Sequence, residues 1–322
     1  MTAIDANTGA KLVADIGGTH ARFAYFVGDQ GPLQGLEKYR CDRFADLADA
    51  LRTYMAQHQL LRFTRICLAV AGPVEQSDIR LPNSTWRVNP SMLSRELTIP
   101  VEVINDFSAQ VLSIDGLGPD QFLWVGDVRP TIVRRYPLAV LGAGTGLGVA
   151  ALTPDGYILP SEGGHVSFAP ANGHQAQLLE QLWQRFPRVS AERLLSGMGL
   201  ANLYWANCRL AGVQGELSAA EVTAGARAGD PHCLRAVADF SAVMGAVAGD
   251  AALTFGALDG VYLSGGILPQ MLDILDIKAL YRGFTAKGRF QAYCEKIPLA
   301  VVLAEEPGLI GCARALSRNS MA

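Results

Sequence analysis

A glycine-threonine turn between two apolar segments is the feature that most constrains this sequence. Leu12 and Val13 lead into Asp15, Gly17-Gly18-Thr19 follows, and an extended apolar run occupies residues 21–26. Glycine permits a sharp turn where a Cβ would clash, and such a turn directs backbone N–H groups and a hydroxyl at one point, which suits a phosphate. Asp15 would suit the Mg²⁺ that accompanies a nucleotide. Taken alone, the stretch is equally compatible with a plain β-hairpin.

The second half of the chain repeats this design. The apolar segment 137–141 leads into Gly142-Ala143-Gly144-Thr145-Gly146-Leu147-Gly148, and a second apolar segment follows at 149–152. The triplet Gly17-Gly18-Thr19 matches Ala143-Gly144-Thr145 at an offset of 126 residues. Two phosphate-type hairpins predict a duplicated domain that holds one ligand from both sides, and they weaken the plain-hairpin alternative.

Composition bounds the class of protein. With 322 residues the chain is long enough for two domains, and the glycine-rich segment 116–119 is the best boundary between them. A hydrophobic fraction of 50%, a charged fraction of 18% and a net charge of −3 are typical of a soluble globular protein and give no indication of a nucleic-acid or membrane partner. Residues 1–10 lack the features of a signal peptide. No two of the six cysteines lie close enough for a CxxC pair, which favours a reducing cytoplasm.

The apolar pattern predicts a mixed α/β chain. Strands are expected at 11–14, 21–26, 33–40, 65–71, 101–104, 137–142, 147–153, 156–160, 261–264 and 299–303. Helices are expected after a cap at Asp42, from Phe107, at 175–186, 191–196, 200–210, 219–228 and 231–255, after Pro269, and at 308–316. Residues 78–88 resemble an inserted polar hairpin.

Asn105-Asp106 stands where a strand ends and a helix begins, the sheet edge at which ligands bind in open α/β sheets. An Asp there could take a proton from a substrate hydroxyl, and helix N–H groups would favour its ionised form. The alternative, favoured on this pair alone, is a helix N-cap.

Three further segments carry candidate polar or glycine residues. In Ser161-Glu162-Gly163-Gly164-His165 two glycines separate an acid from a histidine, so both side chains could bind vicinal sugar hydroxyls; a metal site and a surface loop are the alternatives. Glu192 is a candidate ligand or a first-turn helix acid. Gly265-Gly266 is a glycine bend that could approach an adenine or ribose. The chain has no GxxxxGK[ST] motif, and Gly142–Gly148 does not match GxGxxG, which argues against a P-loop or a Rossmann dehydrogenase.

Six motifs stand in order along nearly the whole chain: Asp15-Ile-Gly-Gly-Thr19, Ile104-Asn-Asp-Phe107, Leu141-Gly-Ala-Gly-Thr-Gly-Leu-Gly148, Glu162-Gly-Gly-His165, Ser190-Ala-Glu-Arg193 and Leu263-Ser-Gly-Gly266. Together they resemble the bacterial glucokinases of the hexokinase and actin-like superfamily. The resemblance implies two ribonuclease-H-like domains with a ligand cleft between them: a small α/β domain of residues 1–116 plus about 306–322, and a large one of residues 117–305 with a helical insertion.

The resemblance also implies the activity, which is ATP-dependent phosphorylation of D-glucose at the 6-hydroxyl in the cytoplasm, with Mg²⁺, by a homodimer. Asp106 would be the base, and the sugar ligands would be Asn105, Asp106, Glu162, His165 and Glu192. ATP would be bound by Ala14, Asp15, Ile16, Gly17, Gly18, Thr19, Gly142, Ala143, Gly144, Thr145, Gly265 and Gly266, with Asp15 near Mg²⁺. His20 departs from the more usual Asn, and Met198 from the common Pro.

The related ROK sugar kinases and repressors carry a cysteine-rich zinc motif after their Glu-x-Gly-His pattern. No cysteine lies between Cys67 and Cys208, which disfavours that branch. Two rival functions stay open at this point: a kinase for another hexose, and a non-catalytic nucleotide switch or sugar sensor that closes on its ligand.

Overall fold

The computed structural model describes residues 9–29, 31–72, 74, 78–81, 86–131 and 133–318. Its strands are β1 (Ala10–Ile16), β2 (His20–Val27), β3 (Gln34–Arg40), β4 (Phe63–Val70), β5 (Ile79–Arg80), β6 (Arg87–Val88), β7 (Val101–Asn105), β8 (Phe122–Val125), β9 (Leu138–Ala143), β10 (Leu147–Leu152), β11 (Ile158–Ser161), β12 (Val261–Ser264) and β13 (Leu299–Val302). Its α-helices are α1 (Leu47–Gln57), α2 (Pro90–Leu97), α3 (Asp106–Ser113), α4 (Gly173–Leu182), α5 (Gly197–Leu210), α6 (Ala219–Arg227), α7 (Pro231–Phe255), α8 (Ile267–Gln270), α9 (Ile277–Thr285), α10 (Gln291–Cys294) and α11 (Pro307–Arg318). The fold is mixed α/β.

The chain forms two compact units. Unit 1 contains residues 1–118 together with 304–322, and unit 2 contains residues 119–303. The sheet of unit 1 has the strand order β3-β2-β1-β4-β7, in which β1, β2 and β3 are antiparallel and β1, β4 and β7 are parallel. Helix α11 returns to this unit and packs on β1, β4 and α3.

The sheet of unit 2 repeats this order in β11-β10-β9-β12-β13 and adds β8 antiparallel to β13. Helices α5, α6 and α9 pack on α7, the long central helix of this unit. By length and composition α7 is apolar enough to cross a membrane, but 72% of its most apolar window is buried inside the protein, the pattern of a core helix. The helix predicted at 231–255 is confirmed as α7.

All ten predicted strands are present, and the helices predicted at 175–186, 200–210, 219–228 and 308–316 correspond to α4, α5, α6 and α11. The capping box between Ser218 and Glu221 begins α6. The polar hairpin predicted at 78–88 is present in its flanking strands, since β5 pairs with β6, while its residues 82–85 lie outside the described residues.

Three helix predictions are wrong in detail. Asp42 lies in a single 3-10 turn and pairs with Arg40, whereas Asp46 caps α1 by accepting the Asp49 N–H. Residues 191–196 form only a short 3-10 turn, because Ser196 caps a new helix, α5. The segment around Pro269 is a single helical turn, α8, and the longer helix begins at α9.

Candidate active site

The predicted site residues of unit 1 lie at one edge of its sheet. Strands β1, β4 and β7 are parallel and in register, with Ile16 beside Val70 and Val70 beside Asn105. Their carboxyl ends therefore place the turn after β1, the turn after β4 and the Asn105-Asp106 pair next to each other. This is the edge at which open α/β sheets bind ligands.

Asn105, not Asp106, is the N-cap of α3. Its Oδ1 accepts the N–H groups of Phe107 at 2.9 Å and Ser108 at 3.1 Å, and its Nδ2 donates to the carbonyl of Gly72 at 3.2 Å. Asp106 is the first helical residue, and its Oδ1 accepts from Phe107 N–H at 2.8 Å. The capping role therefore belongs to Asn105, and the Asp106 carboxylate is held in place without being needed as the cap.

The helix N–H groups do lower the pKa of Asp106, as expected, but burial has the larger and opposite effect. Burial raises the pKa of Asp106 above its ordinary value, although hydrogen bonds from Phe107 and Asn105 oppose the rise. Desolvation of a charged carboxylate outweighs the favourable N–H contacts because the side chain is removed from water on most sides. A carboxyl with a raised pKa is a stronger proton acceptor than an ordinary aspartate.

Asp15, on the strand β1 two positions away from β7 in the same sheet, interacts electrostatically with Asp106 and also has a raised pKa. Burial raises the pKa of Asp15 to about 6, Arg22 opposes this rise, and the charges of Asp106 and Glu306 add to it. Arg22 faces Asp15 across the β1–β2 ladder, and its Nε donates to Glu306 Oε1 at 2.8 Å. Asp15 therefore interacts with one arginine and with two further carboxylates, and such an excess of negative charge favours binding of a further cation.

The two glycine turns differ by one residue. Four residues separate the last paired positions Ile16 and Ala21, while three separate Ala143 and Leu147. The offset of 126 residues therefore holds for the strand after each turn but not for the strand before it. Gly17 N–H donates to the carbonyl of His20 at 3.0 Å, so His20 is part of the first turn.

In unit 2 the two segments predicted to bind ATP are adjacent. Strands β9 and β12 are parallel, with Ser264 beside Gly142. Gly265 follows with a φ of +92°, and a Cβ at this position would collide with the backbone of Ala143. Only glycine meets both conditions, so the bend at 265–266 lies directly against the turn at 143–145.

The three sugar ligands predicted in unit 2, Glu162, His165 and Glu192, lie close together, with His165 in the middle. Its Nε2 lies 3.9 Å from Glu162 Oε2, and its Nδ1 lies 3.9 Å from Glu192 Oε1. These distances are too long for hydrogen bonds. The side chains are 91%, 57% and 29% exposed for Glu162, His165 and Glu192, so the group is an open polar cluster accessible to a ligand.

Glu192 also contacts the second glycine turn. Its Oε2 accepts the N–H of Leu147 at 3.0 Å, and the N–H of Gly197 donates to the carbonyl of Gly144 at 3.0 Å. Glu192 does lie in the first turn of a short helical segment, the 3-10 turn Ala191–Arg193, but its carboxylate is bonded to the Leu147 N–H of a separate strand.

Arg188 is a functional candidate that the sequence analysis did not identify. Its Nη2 donates to the carbonyl of His165 at 2.7 Å and its Nε to Ser167 Oγ at 3.2 Å. Backbone bonds from Phe168 N–H to the Val189 carbonyl and from Ala191 N–H to the Val166 carbonyl, both 3.0 Å, join the same two segments. Only its place just before Ser190-Ala-Glu-Arg193 could have pointed to it.

Comparison with known proteins gives the family. The sequence model described as Glucokinase matches residues 12–319. The chain is 41% identical to a glucokinase of Chromohalobacter salexigens over 98% of this chain and 99% of the relative, and 41% identical to one of Nitrobacter hamburgensis over 95% and 97%. The chain belongs to the glucokinase family. A chain of this glucokinase family is a sugar kinase, and the family expectation from the sequence is confirmed.

Solved structures agree with this glucokinase assignment. A glucokinase from an Antarctic psychrotroph superposes with a TM-score of 0.90 at 33% identity, covering 96% of this chain and 99% of that one. A Balamuthia mandrillaris glucokinase in complex with glucose has a TM-score of 0.74 at 20% identity, over 98% and 95% of the two chains. A ROK family glucokinase from Streptomyces griseus in complex with glucose and AMPPNP has a TM-score of 0.64 at 19% identity, over 97% and 100%. The last two show a shared fold.

Proposed function

We propose that this chain transfers the γ-phosphoryl group of ATP to the 6-hydroxyl of D-glucose, giving glucose 6-phosphate and ADP. The observation that carries the proposal is the placement of Asp106 at the same sheet edge as the glycine turn after β1. A base and a phosphate-type turn at one edge are what phosphoryl transfer to a hydroxyl requires. The glucose and AMPPNP complexes of structural neighbours support the same pair of substrates.

In this proposal Asp106 accepts the proton of the 6-hydroxyl. The hydroxyl oxygen forms the new bond to the γ-phosphorus while the bond to the bridging oxygen breaks, and ADP leaves with that electron pair. A raised pKa suits Asp106 to this role, because a base works best when its pKa lies close to the working pH. Most of the rate enhancement comes from positioning and charge stabilisation.

The sugar would be held by Asn105 and Asp106 from unit 1 and by Glu162, His165 and Glu192 from unit 2. We infer that the two units are ribonuclease-H-like domains, close to the predicted 1–116 plus 306–322 and 117–305, with the ligand cleft between them. The repeated strand order of the two sheets supports this. ATP would contact residues 14–19, 142–145 and 265–266.

Mg²⁺ fits the residues of unit 1. It prefers carboxylate oxygens and phosphates, and Asp15 is a partly buried carboxyl whose pKa is raised to about 6, with two further carboxylates adding to the rise. Asp15 would hold the ion, and Mg²⁺ bound with ATP would neutralise phosphate charge. A cytoplasmic location and a homodimeric state belong to the same proposal; the location is supported by six free, buried cysteines, and the dimer by the resemblance alone.

The test is ADP release in the presence of ATP, Mg²⁺ and a panel of sugars, with the product identified by ³¹P NMR. D-glucose should be the best substrate, 6-deoxyglucose should bind without reacting, and the product should carry its phosphate at the 6-position. A higher rate with another hexose would identify that sugar, and not D-glucose, as the preferred substrate. Binding of glucose and ATP without turnover would instead support a switch or sensor.

A further inference from the structure

Gly146 lies directly against the Glu192 carboxylate. A Cβ placed at position 146 would be 2.5 Å from Glu192 Oε2, the same oxygen that accepts the Leu147 N–H. The other oxygen, Oε1, faces His165 Nδ1 at 3.9 Å. A single carboxylate therefore touches the glycine turn with one oxygen and the proposed sugar cluster with the other.

The segment that carries Glu192 is held firmly. The Glu192 carbonyl accepts from Ser196 Oγ at 2.9 Å, and the carbonyl of Arg193 accepts from Asn202 Nδ2 at 2.9 Å. Ser196 in turn caps α5 by accepting the Gly199 N–H at 3.0 Å. Because the backbone of Glu192 is held by these bonds, its carboxylate reaches the Leu147 N–H from a fixed starting point.

We propose that residue 146 is glycine because a side chain there would displace the Glu192 carboxylate, and that Glu192 couples the sugar site to the nucleotide turn. The inference rests on the proposed function. A sugar bound at His165 restrains the Glu192 carboxylate, and through Leu147 N–H it orders the turn at 144–146. Glucose therefore tightens nucleotide binding, and by thermodynamic reciprocity nucleotide tightens glucose binding by the same factor.

Gly146→Ala tests this without altering a sugar ligand. The atom that the new methyl group meets is the end of a side chain, so the carboxylate can swing aside and the protein can fold. Gly144→Ala is the matched control in the same turn, since a Cβ there meets nothing within 4 Å and neither glycine has a positive φ. Glu192→Gln is the second variant, because its amide oxygen still accepts the Leu147 N–H.

The measurements are glucose affinity by calorimetry, and affinity for a non-hydrolysable ATP analogue with and without glucose. In the wild type, glucose should tighten analogue binding by a factor of about 5 to 150, the usual range of coupling between sites. Gly146→Ala should weaken glucose binding about tenfold and bring this factor close to one. Gly144→Ala, whose new methyl group does not meet Glu192, should leave glucose affinity in the absence of nucleotide unchanged, and Glu192→Gln should keep most of the coupling.

Wild-type glucose affinity and coupling in folded Gly146→Ala would overturn the inference, as would a coupling factor of one in the wild type. If Gly146→Ala does not fold, Glu192→Ala takes its place, and retained coupling in that variant overturns the inference equally. Failure of the wild type to phosphorylate glucose is a separate result, which would overturn the proposed function instead.

Discussion

Asn105 caps the helix α3 and its neighbour Asp106 is the proposed base, two roles that the sequence alone did not assign to one residue or the other. Asn105 Oδ1 accepts from two backbone N–H groups of α3, and its Nδ2 donates to the carbonyl of Gly72. Asp106 is thereby available for chemistry, while still oriented by the Phe107 N–H. The sequence predicted a polar pair at a strand end, but only the backbone geometry decides which of the two caps the helix.

The raised pKa of Asp106 predicts a pH dependence. The acid limb of kcat/KM should lie above the ordinary carboxyl value of 3.8, because the base is lost at a higher pH when burial favours its protonated form. The free energy of unfolding should change in the opposite direction. The native Asp106 carboxyl binds its proton more tightly than the unfolded one, so it stabilises the fold fully below pH 3.8, and this stabilisation is lost as the pH rises through the raised pKa.

The variant Asp106→Asn removes the titrating carboxyl, so it isolates the contribution of Asp106 to the pH dependence of stability. It should be more stable than the wild type at neutral pH, and this difference should vanish at low pH. Chemical denaturation across pH, beside a pH profile of wild-type kcat/KM, measures both. An acid limb at the ordinary carboxyl value, or a stability difference independent of pH, would contradict the assignment.

Arg188 predicts a second residue-level outcome. Arg188→Ala removes the charge-assisted bond to the His165 carbonyl; because this bond is solvent-exposed, KM for glucose should rise by only a few-fold, while KM for ATP changes little. Arg188→Lys is the control, since an ammonium can keep one of the two bonds and should lie between the two. Steady-state kinetics measure both constants. An equal rise in both KM values would place Arg188 outside the sugar site.

At the scale of elements, strong patterns were predicted and weak ones were missed. Strand β9 is apolar throughout, β1 and β4 contain apolar runs at 12–14 and 66–70, and α7 begins with Asp230-Pro231, a cap followed by proline. The strand β8 was missed although it has four residues, as do the predicted strands β12 and β13. The helix α2 was missed although Asn89-Pro90 carries the same start signal.

Helices α4, α5 and α7 are joined by a polar cluster around Asp239, which no local pattern predicts. The Asp239 carboxylate, 7% exposed, accepts from Asn207 Nδ2 at 2.8 Å, lies 2.9 Å from His174 Nε2, and is 3.4 Å from Arg235 Nε. A buried carboxylate of this kind depends on every partner. Its partners come from three separate helices, so only the packed structure brings them together.

Asp239→Ala should therefore lower the free energy of unfolding by about 3–5 kcal/mol, the effect of removing one member of a buried charged group. Asp273→Ala is the matched control, because Asp273 pairs with Arg227 at the surface, where solvent screens the charges, and its loss should cost much less. Urea denaturation measures both variants. Equal losses would show that the Asp239 cluster contributes no more than a surface ion pair.

At the scale of the whole molecule, the internal repeat was the most informative feature of the sequence. The repeated glycine turn predicted two halves of one design, and both sheets share the order of three antiparallel strands followed by two parallel ones. The extra residue in the first turn and the contact of Glu192 with Leu147 N–H were not predictable. Both depend on distances between segments that the sequence keeps apart.

The proposed distribution of sugar ligands over both units predicts that glucose makes the protein more compact. A ligand that bridges two bodies favours the closed arrangement by its differential affinity. Small-angle X-ray scattering at saturating D-glucose should give a smaller radius of gyration than the free protein, with L-glucose as the control. An unchanged radius would contradict the assignment of sugar ligands to both units.

The central claim, that Asp106 is the base of a glucose phosphotransferase, is tested most directly by the turnover of Asp106→Asn. Asn105 still caps α3 in this variant, and Asn is nearly isosteric with Asp, so glucose affinity should change little. Turnover should fall by about 10²- to 10⁴-fold, the usual contribution of a positioned base. A folded, glucose-binding variant that keeps more than about a tenth of wild-type turnover lies outside that range and would contradict the claim.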